Sequence, residues 1–331
     1  KMKKIKFAIN GFGRIGRGFF RLALQTDNIQ IVALNDLTDV KTLAHLLKYD
    51  STHGVLANEI STKGNSILVD GVEVPVFSQP NPQDLPWKDM EVDVVLESTG
   101  RFLKNEQALQ HVIAGAKKVL ISAPSPDAKT IVLGVNDELI SSDDFVLSNA
   151  SCTTNCLAPM AKVINDHFTI KSGYITTTHA FTADQRLQDS PHKDLRRARS
   201  AMNSIIPTQT GAASAVGKVL PELNGKLDGI ALRVPVACGS ITDFVCITEK
   251  ATTVDEVNRV LQEAADSSMK GILAVSHDPL VSIDIVGRQE SSIIDAELTK
   301  VDGSFIKLVS WYDNEIGYSS RLIDLCAKIN N

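Results

Sequence analysis

Glycines 11, 13 and 16 stand between a short apolar run at residues 5–9 and a helical pattern carrying Ile15, Phe19, Phe20, Leu22 and Ala23. A strand that enters a helix through such a turn has few options. The first glycine permits the tight turn, the second lets a pyrophosphate reach the backbone, and the third lets helix and strand pack closely. The helix start then offers unpaired N–H groups and the positive end of its dipole to phosphates. Asp36 follows a second apolar run, residues 29–34, and lies twenty positions beyond Gly16. A carboxylate there accepts hydrogen bonds from ribose hydroxyls and repels a 2′-phosphate, so the expected cofactor is NAD. The plain alternative is a tight turn beside a solvated aspartate. The strand–turn–helix context and the spacing together weigh against it.

The alternation continues to about residue 150. Residues 40–47 read as a helix, 67–77 as a hairpin turning at Asp70-Gly71, and 109–116 as a helix. Residues 92–96, 119–121, 131–133 and 145–147 read as short strands. Strand, helix, strand in repetition means a parallel sheet flanked by helices. Beyond residue 150 the texture changes. Residues 234–247 and 306–312 read as long strands with no helix after each, and 254–265 as an amphipathic helix. At 331 residues the chain exceeds one ordinary core. The expectation is an α/β protein: a Rossmann-type parallel-sheet domain over 2–150 and an α+β catalytic domain with a mainly antiparallel sheet over 151–314. Residues 181–207, rich in charge and turn formers, read as a long ordered loop serving a site or an interface.

A net charge of −5 argues against a bulk electrostatic grip on nucleic acid or an anionic membrane. No apolar run is long enough to span a bilayer, and residues 1–4 lead into a short β-like run rather than the apolar core of a signal peptide. The five cysteines are an odd number, scattered apart from Cys152 and Cys156, and none has zinc-finger spacing. The seven histidines show no His-Glu-x-x-His pattern. No metal is expected, and a reducing cytoplasm is the simplest compartment.

The segment Ser148-Asn149-Ala150-Ser151-Cys152-Thr153-Thr154-Asn155-Cys156 joins a strand end to a helical pattern that runs through Leu157, Met160, Ala161 and Ile164. Cys152 is thereby placed near a helix N-terminus among small hydroxyl residues. The dipole end and its unpaired N–H groups favour thiolate over thiol, and the same groups could stabilise an oxyanion formed by attack on a carbonyl. His179, which ends a strand-like stretch, is the candidate base. A buried structural thiol is the bland alternative, and it is the preferred reading for Cys156, Cys238, Cys246 and Cys326.

Two phosphate-sized sites are expected. Ser151, Thr153 and the Thr208-Gln209-Thr210-Gly211 turn place hydroxyls and N–H groups near helix starts. The run Asp194-Leu195-Arg196-Arg197-Ala198-Arg199 supplies guanidinium groups, of which a solvated or interfacial role accounts for two of three. Arg233 stands inside the apolar run 230–236, where a half-buried guanidinium needs an anionic partner.

Along essentially its whole length the chain resembles the phosphorylating glyceraldehyde-3-phosphate dehydrogenases. The resemblance rests on the turn at 9–16, Asn35-Asp36-Leu37-Thr38, residues 148–159, 191–199 and 206–213, Arg233-Val234-Pro235-Val236 and Trp311-Tyr312-Asp313-Asn314-Glu315. It implies Cys152 as nucleophile and His179 as its base. It further implies an inorganic-phosphate site at Ser151, Thr153, Thr210 and Gly211, and a substrate-phosphate site at Thr182, Arg233 and Arg197. Arg14, Ile15, Asp36, Ser122 and Asn314 would contact NAD, Asn314 at the nicotinamide amide. It also implies a homotetramer whose loop at about 181–207 reaches a neighbouring subunit's cofactor, and a last helix at about 315–330 that returns to the first domain. Three residues depart from the family pattern: Pro80 in place of a common basic residue, Ser190 in place of a common Leu, and Ile316 in place of a common Trp.

The reaction implied is oxidation of glyceraldehyde 3-phosphate through a hemithioacetal and a thioester on Cys152, followed by attack of inorganic phosphate to give 1,3-bisphosphoglycerate. Erythrose-4-phosphate dehydrogenase is the nearest alternative; Thr182 and the intact Thr210-Gly211-Ala212-Ala213 favour the three-carbon substrate. A cofactor-free Cys–His hydrolase would not need the glycine turn with Asp36. A second, non-enzymatic binding role leaves no mark that a sequence can show.

Overall fold

The computed structural model describes residues 4–329; residues 1–3 and 330–331, among them the outer limits expected for the two domains, lie outside the described residues. The chain divides into two compact units. One comprises the residues up to 131, 138–150 and those from 319 on; the other comprises 132–137 and 151–318.

The first unit runs β1 (Ile5–Asn10), α1 (Arg14–Ala23), β2 (Ile29–Asn35), α2 (Val40–Lys48), the short pair β3 (Tyr49–Asp50) and β4 (Gly54–Val55), β5 (Ile60–Lys63), β6 (Ser66–Val69), β7 (Val72–Phe77), β8 (Val94–Glu97), α3 (Asn105–Ile113), β9 (Lys118–Ile121), β10 (Lys129–Thr130) and β11 (Val146–Ser148). Among the described residues the sheet order is β10-β11-β9-β8-β1-β2-β7-β6-β5. Every pairing from β10 to β7 is parallel, and the β5–β6–β7 meander is antiparallel. The central strands are apolar on both faces: Phe7, Ala8, Ile9, Val94, Val95 and Leu96 are all buried, as a sheet covered by helices on two sides requires. Strand order reverses on either side of β1, so the crevice at its carboxyl end is the switch point where ligands of such sheets bind.

The strand expected at 131–133 is displaced: β10 covers 129–130, Ile131 N–H still donates to the Ser148 carbonyl at 2.8 Å, a turn runs over 133–136, and 132–137 group with the second unit. Val132 N–H donates to Asn136 Oδ1 at 2.8 Å and Gly134 N–H to Asp137 Oδ1 at 2.6 Å, so side chains three to four residues on capture the N–H groups that a ladder would use.

The second unit contains α4 (Cys152–Phe168), β12 (Ile170–Ala180), β13 (Ile206–Gln209), α5 (Ala212–Val219), β14 (Leu227–Val234), β15 (Ser240–Thr248), α6 (Val254–Asp266), β16 (Leu273–Ser276), β17 (Ser292–Asp295), β18 (Lys300–Asp302), β19 (Phe305–Tyr312) and the start of α7 (Ile316–Ile329). Its sheet, in the order β13-β14-β12-β15-β19-β17-β16 with β18 on β19, is mainly antiparallel; β12–β14 and β16–β17 are its parallel pairs. Ile175, Phe244 and Leu308 stand abreast on one face, fully buried and on the side where α4 and α6 pack. The expected single strand over 234–247 is broken. Pro235 has no N–H to donate and Gly239 adopts φ +89°, so β14 ends and β15 begins at a corner. No helix among the described residues is long and apolar enough to cross a membrane.

Candidate active site

In the first unit the three glycines divide their work as their spacing implies. Gly11 adopts φ +93°, and a Cβ on it would lie 2.7 Å from Thr99 N. A Cβ on Gly16 would lie 2.3 Å from the Gly11 carbonyl oxygen, so helix and turn touch backbone to backbone there. A Cβ on Gly13 would meet nothing within 4 Å, and this residue, as N-cap of α1, supplies no side-chain cap. It leaves an open cradle beside uncapped N–H groups, which fits a pyrophosphate. Asp36 closes the loop from β2: its Oδ2 accepts Phe12 N–H at 2.8 Å and its Oδ1 accepts Thr38 N–H at 2.9 Å. Ser122 follows β9 and donates both N–H and Oγ–H to the Glu97 carbonyl. Ile15 is half-buried on α1. The Arg14 guanidinium forms a two-point pair with Asp50, at 2.5 and 3.1 Å. Burial acts to raise the Asp50 pKa, but the Arg14 bonds and the N–H groups of His53 and Thr52 hold the carboxyl well below its usual range.

In the second unit α4 begins at Cys152, with Ser151 as N-cap accepting Thr154 N–H at 3.0 Å. Ala150, buried, precedes it at φ +56°, a left-handed conformation for a residue that carries a Cβ. Cys152 Sγ lies 3.3 Å from His179 Nε2. The parallel register of β12 and β14 sets His179 beside Arg233. Arg233 Nη1 reaches the Ala180 carbonyl oxygen at 3.0 Å and Thr182 Oγ1 at 3.4 Å. His179 Nδ1 lies 2.6 Å from that carbonyl oxygen, which can only accept, and 2.9 Å from Arg233 Nη1, which can only donate. The carbonyl contact is the shorter, and a ring proton on Nδ1 directed at it leaves the Nε2 lone pair facing the thiol.

The helix start favours the thiolate as expected, and burial works against it. Burial pushes the Cys152 thiol up, against the Arg233 charge, the Thr153 hydroxyl and the N–H groups of the helix start. Burial and then the Arg233 guanidinium push His179 down to about 3, which leaves a free base at neutral pH. The contact is a thiol facing a base, and transfer along it creates the nucleophile.

Tyr312 lies in one of the segments that carry the resemblance without being among the site residues expected from it, yet it stands beside this pair. Its hydroxyl lies 2.9 Å from both Thr153 Oγ1 and Thr177 Oγ1, and its ring meets His179 edge-on at 5.9 Å. The Thr153 hydroxyl is thus committed to Tyr312. Arg197 pairs with Asp184 and donates through Nε to Thr208 Oγ1 at 3.0 Å; Arg199 pairs with Asp189, and Arg196 is exposed. Thr210 Oγ1 accepts Ala212 N–H at 3.2 Å, with Gly211 exposed as N-cap of α5, and α5 packs on α4. Asn314 Oδ1 accepts Gly239 N–H and Ser240 Oγ–H at 3.2 and 2.9 Å, which orients its Nδ2 as a donor for something else. Ser190 N–H is taken by the Ala198 carbonyl. Nothing in the structure explains the changes at Pro80 and Ile316.

One unit with a dinucleotide turn and an acidic second-strand end, and another with a thiol facing an imidazole, together define the class: a nicotinamide-linked dehydrogenase. The family model for the glyceraldehyde 3-phosphate dehydrogenase NAD binding domain matches residues 5–105, and that for the C-terminal domain matches residues 151–314. The chain is 57% identical to the glyceraldehyde-3-phosphate dehydrogenase of Geobacillus stearothermophilus over 98% of both chains. It is 54% identical to the enzymes so named from Bacillus subtilis, over 98% of both chains, and Borreliella burgdorferi, over 98% of this chain and 99% of the other. The chain belongs to the glyceraldehyde 3-phosphate dehydrogenase family.

Proposed function

We propose that the chain oxidises glyceraldehyde 3-phosphate to 1,3-bisphosphoglycerate with NAD and inorganic phosphate, and that Cys152 carries the acyl group. The observation behind the residue assignment is the 3.3 Å contact of Cys152 Sγ with His179 Nε2, on an imidazole whose other nitrogen lies 2.6 Å from the Ala180 carbonyl oxygen. Nε2 takes the thiol proton as sulfur attacks the aldehyde, giving a hemithioacetal. Once that proton has passed on to the new alkoxide, Nε2 takes the hydroxyl proton of the adduct as the carbon is oxidised to a thioester. NAD, when bound, accepts the hydride. Phosphate attack on the thioester releases the acyl phosphate and restores the thiolate. Arg233 and Thr182, which touch each other, suit the substrate phosphate. Ser151, the N–H side of Thr153, Thr210 and Gly211 suit the inorganic one. Arg197 reaches either only by sharing its guanidinium with Asp184. Single-turnover mixing with and without phosphate tests this: a burst of NADH with an accumulating Cys152 thioester is expected without phosphate, and acyl phosphate only with it. Free glycerate 3-phosphate as the main product in both cases would sink the proposal. The sister reading, a four-carbon aldose phosphate, is tested in the same assay by comparing kcat/KM for the two aldehydes.

Gly11, Gly13, Gly16, Arg14, Ile15, Asp36, Ser122 and Asn314 are the residues we assign to the cofactor. The Asp36 carboxylate, with two of its acceptor sites filled by Phe12 and Thr38, keeps capacity for ribose hydroxyls and opposes a 2′-phosphate. A preference for NAD over NADP of at least about 100-fold in kcat/KM is expected, and Asp36→Ala should cut the ratio by about tenfold. Equal use of both cofactors by the wild type would show that Ser190 and its surroundings outweigh Asp36.

A homotetramer is the assembly we propose. The face of the second sheet opposite α4 and α6 carries Tyr174, Ile230, Ile247 and Phe305 at 65%, 49%, 44% and 49% exposure, all on one side by strand register. An apolar sheet face of that breadth suits a second copy of the chain. Tyr174→Asp with Ile230→Asp is expected to lower the mass seen in sedimentation; an unchanged mass would place the interface elsewhere. A reactive thiol nucleophile at Cys152 suits the reducing cytoplasm.

A further inference from the structure

Asn10, Asn35 and Glu97 stand in one row at the carboxyl ends of the adjacent parallel strands β1, β2 and β8. All three are buried, and their side chains form one hydrogen-bonded line. Asn35 Nδ2 donates to Asn10 Oδ1 at 2.7 Å, and Asn10 Nδ2 donates to Glu97 Oε2 at 2.6 Å. At one end Asn35 grips the Gln79 backbone, accepting its N–H at 2.8 Å and donating to its carbonyl at 2.9 Å. At the other end Glu97 Oε1 accepts both the N–H and the hydroxyl of Thr99. His111, fully buried on α3, closes the line from behind. The Trp87 indole can only donate, and its Nε1–H points at His111 Nδ1 at 2.9 Å. The imidazole proton is thereby fixed on Nε2, which lies 3.0 Å from Glu97 Oε2. Every contact to the carboxylate is a donor, the set an acceptor-only group takes.

The line ends where the glycine turn is held. Gly11 N–H donates to the Asn35 carbonyl, Ser98 Oγ–H donates to the Gly11 carbonyl at 2.6 Å, and Thr99 N is the atom a Cβ on Gly11 would strike. Asp36, next to Asn35, holds Phe12. The segments after β2, β7 and β8 therefore share one buried anchor.

We propose that Glu97 and His111 are positioning residues for the dinucleotide: the carboxylate, aimed by the imidazole, sets the places of Thr99, Asn10, Asn35 and Gln79 around the glycine turn before NAD arrives. This rests on the NAD reading. An interior packing role alone would affect stability and leave affinity untouched, and the two separate cleanly in a set of four variants of the full-length protein. Glu97→Gln puts an amide N–H against a ring of donors, and His111→Phe removes the donor that aims the carboxylate. His111→Gln keeps a donor near the Nε2 position. Val92→Ala disturbs the core around Trp87 without touching any side chain of the hydrogen-bonded line. NAD Kd is measured by calorimetry, Tm by unfolding, and kcat and both KM values at saturating co-substrate.

Glu97→Gln and His111→Phe are expected to raise Kd and KM for NAD about tenfold, with kcat and the aldehyde KM within about twofold. His111→Gln should restore Kd to within about threefold of wild type, and Val92→Ala should lower Tm with Kd unchanged. A lowered Tm with wild-type NAD affinity in both Glu97→Gln and His111→Phe would overturn the proposal. If Glu97→Gln does not fold, the His111→Phe and His111→Gln pair decides by itself. Failure of the underlying NAD reading looks different: the wild type itself would give no heat on NAD titration.

Discussion

Replacing Cys152 by alanine is expected to lower dehydrogenase turnover by at least about 10⁴-fold while NAD still binds. The loss should be that large because no neighbour can substitute. Cys156, the next cysteine along α4, is fully buried, and burial pushes its thiol up to about 11. Cys246 is buried in β15 and pushed up to about 12. The cofactor should be spared because the glycine turn and Asp36 are held by bonds within the first unit. Turnover and calorimetric NAD affinity on the same preparation check both halves. Turnover within tenfold of wild type would remove Cys152 from the mechanism.

His179→Asn should lower kcat by about 10² to 10⁴-fold. It should also slow iodoacetamide alkylation of Cys152 at neutral pH. The sign follows from the site. Burial raises the thiol pKa above its ordinary value near 9, and the imidazole base is what lets the proton leave below that range. Without it, reactivity must wait for spontaneous ionisation, so the alkylation profile moves to alkaline pH and rises mainly above about pH 9. Arg233 tests the cause from the other side. Its charge lowers both the thiol and the imidazole. An alkylation profile unchanged in His179→Asn would show that the helix end and Arg233 suffice to make the thiolate.

The cofactor turn was legible because its chemistry is local. Gly11 and Gly16 are required by backbone geometry, and Gly13 and Asp36 lie at fixed spacings from them within about thirty residues. Cys152 was legible for the same reason, standing at a strand-to-helix junction with a capping serine before it. The electrostatics around it was not. The helix end is visible in sequence, but the partial burial that opposes it depends on His179 of β12 and Arg233 of β14 standing beside the half-buried thiol. Tyr312 lies 159 positions from Thr153 and 135 from Thr177, and Asp184 competes for Arg197 across a loop. Such pairings follow from sheet register, which no short motif states. The missed turn at 133–136 shows the converse: Asn136 and Asp137 were the signal, and the apolar letters of Ile131, Val132 and Leu133 masked it. The corner at Pro235 and Gly239 is another case, in which a continuous apolar pattern hid two breakers.

Ala150 limits how this protein can drift. Its left-handed backbone costs about 1 kcal/mol relative to an ordinary conformation, and its side chain is enclosed. Glycine would ease the conformation but loosen the link between the β11 strand end and Ser151. Valine and isoleucine, branched at Cβ, are strongly disfavoured by the dihedral, and the burial of the site disfavours large residues. The position therefore admits very few residues, although it faces neither aldehyde nor phosphate. A strained, enclosed residue two places before the cysteine thus narrows what the approach to the helix can become, and lineages carrying this scaffold should change it seldom.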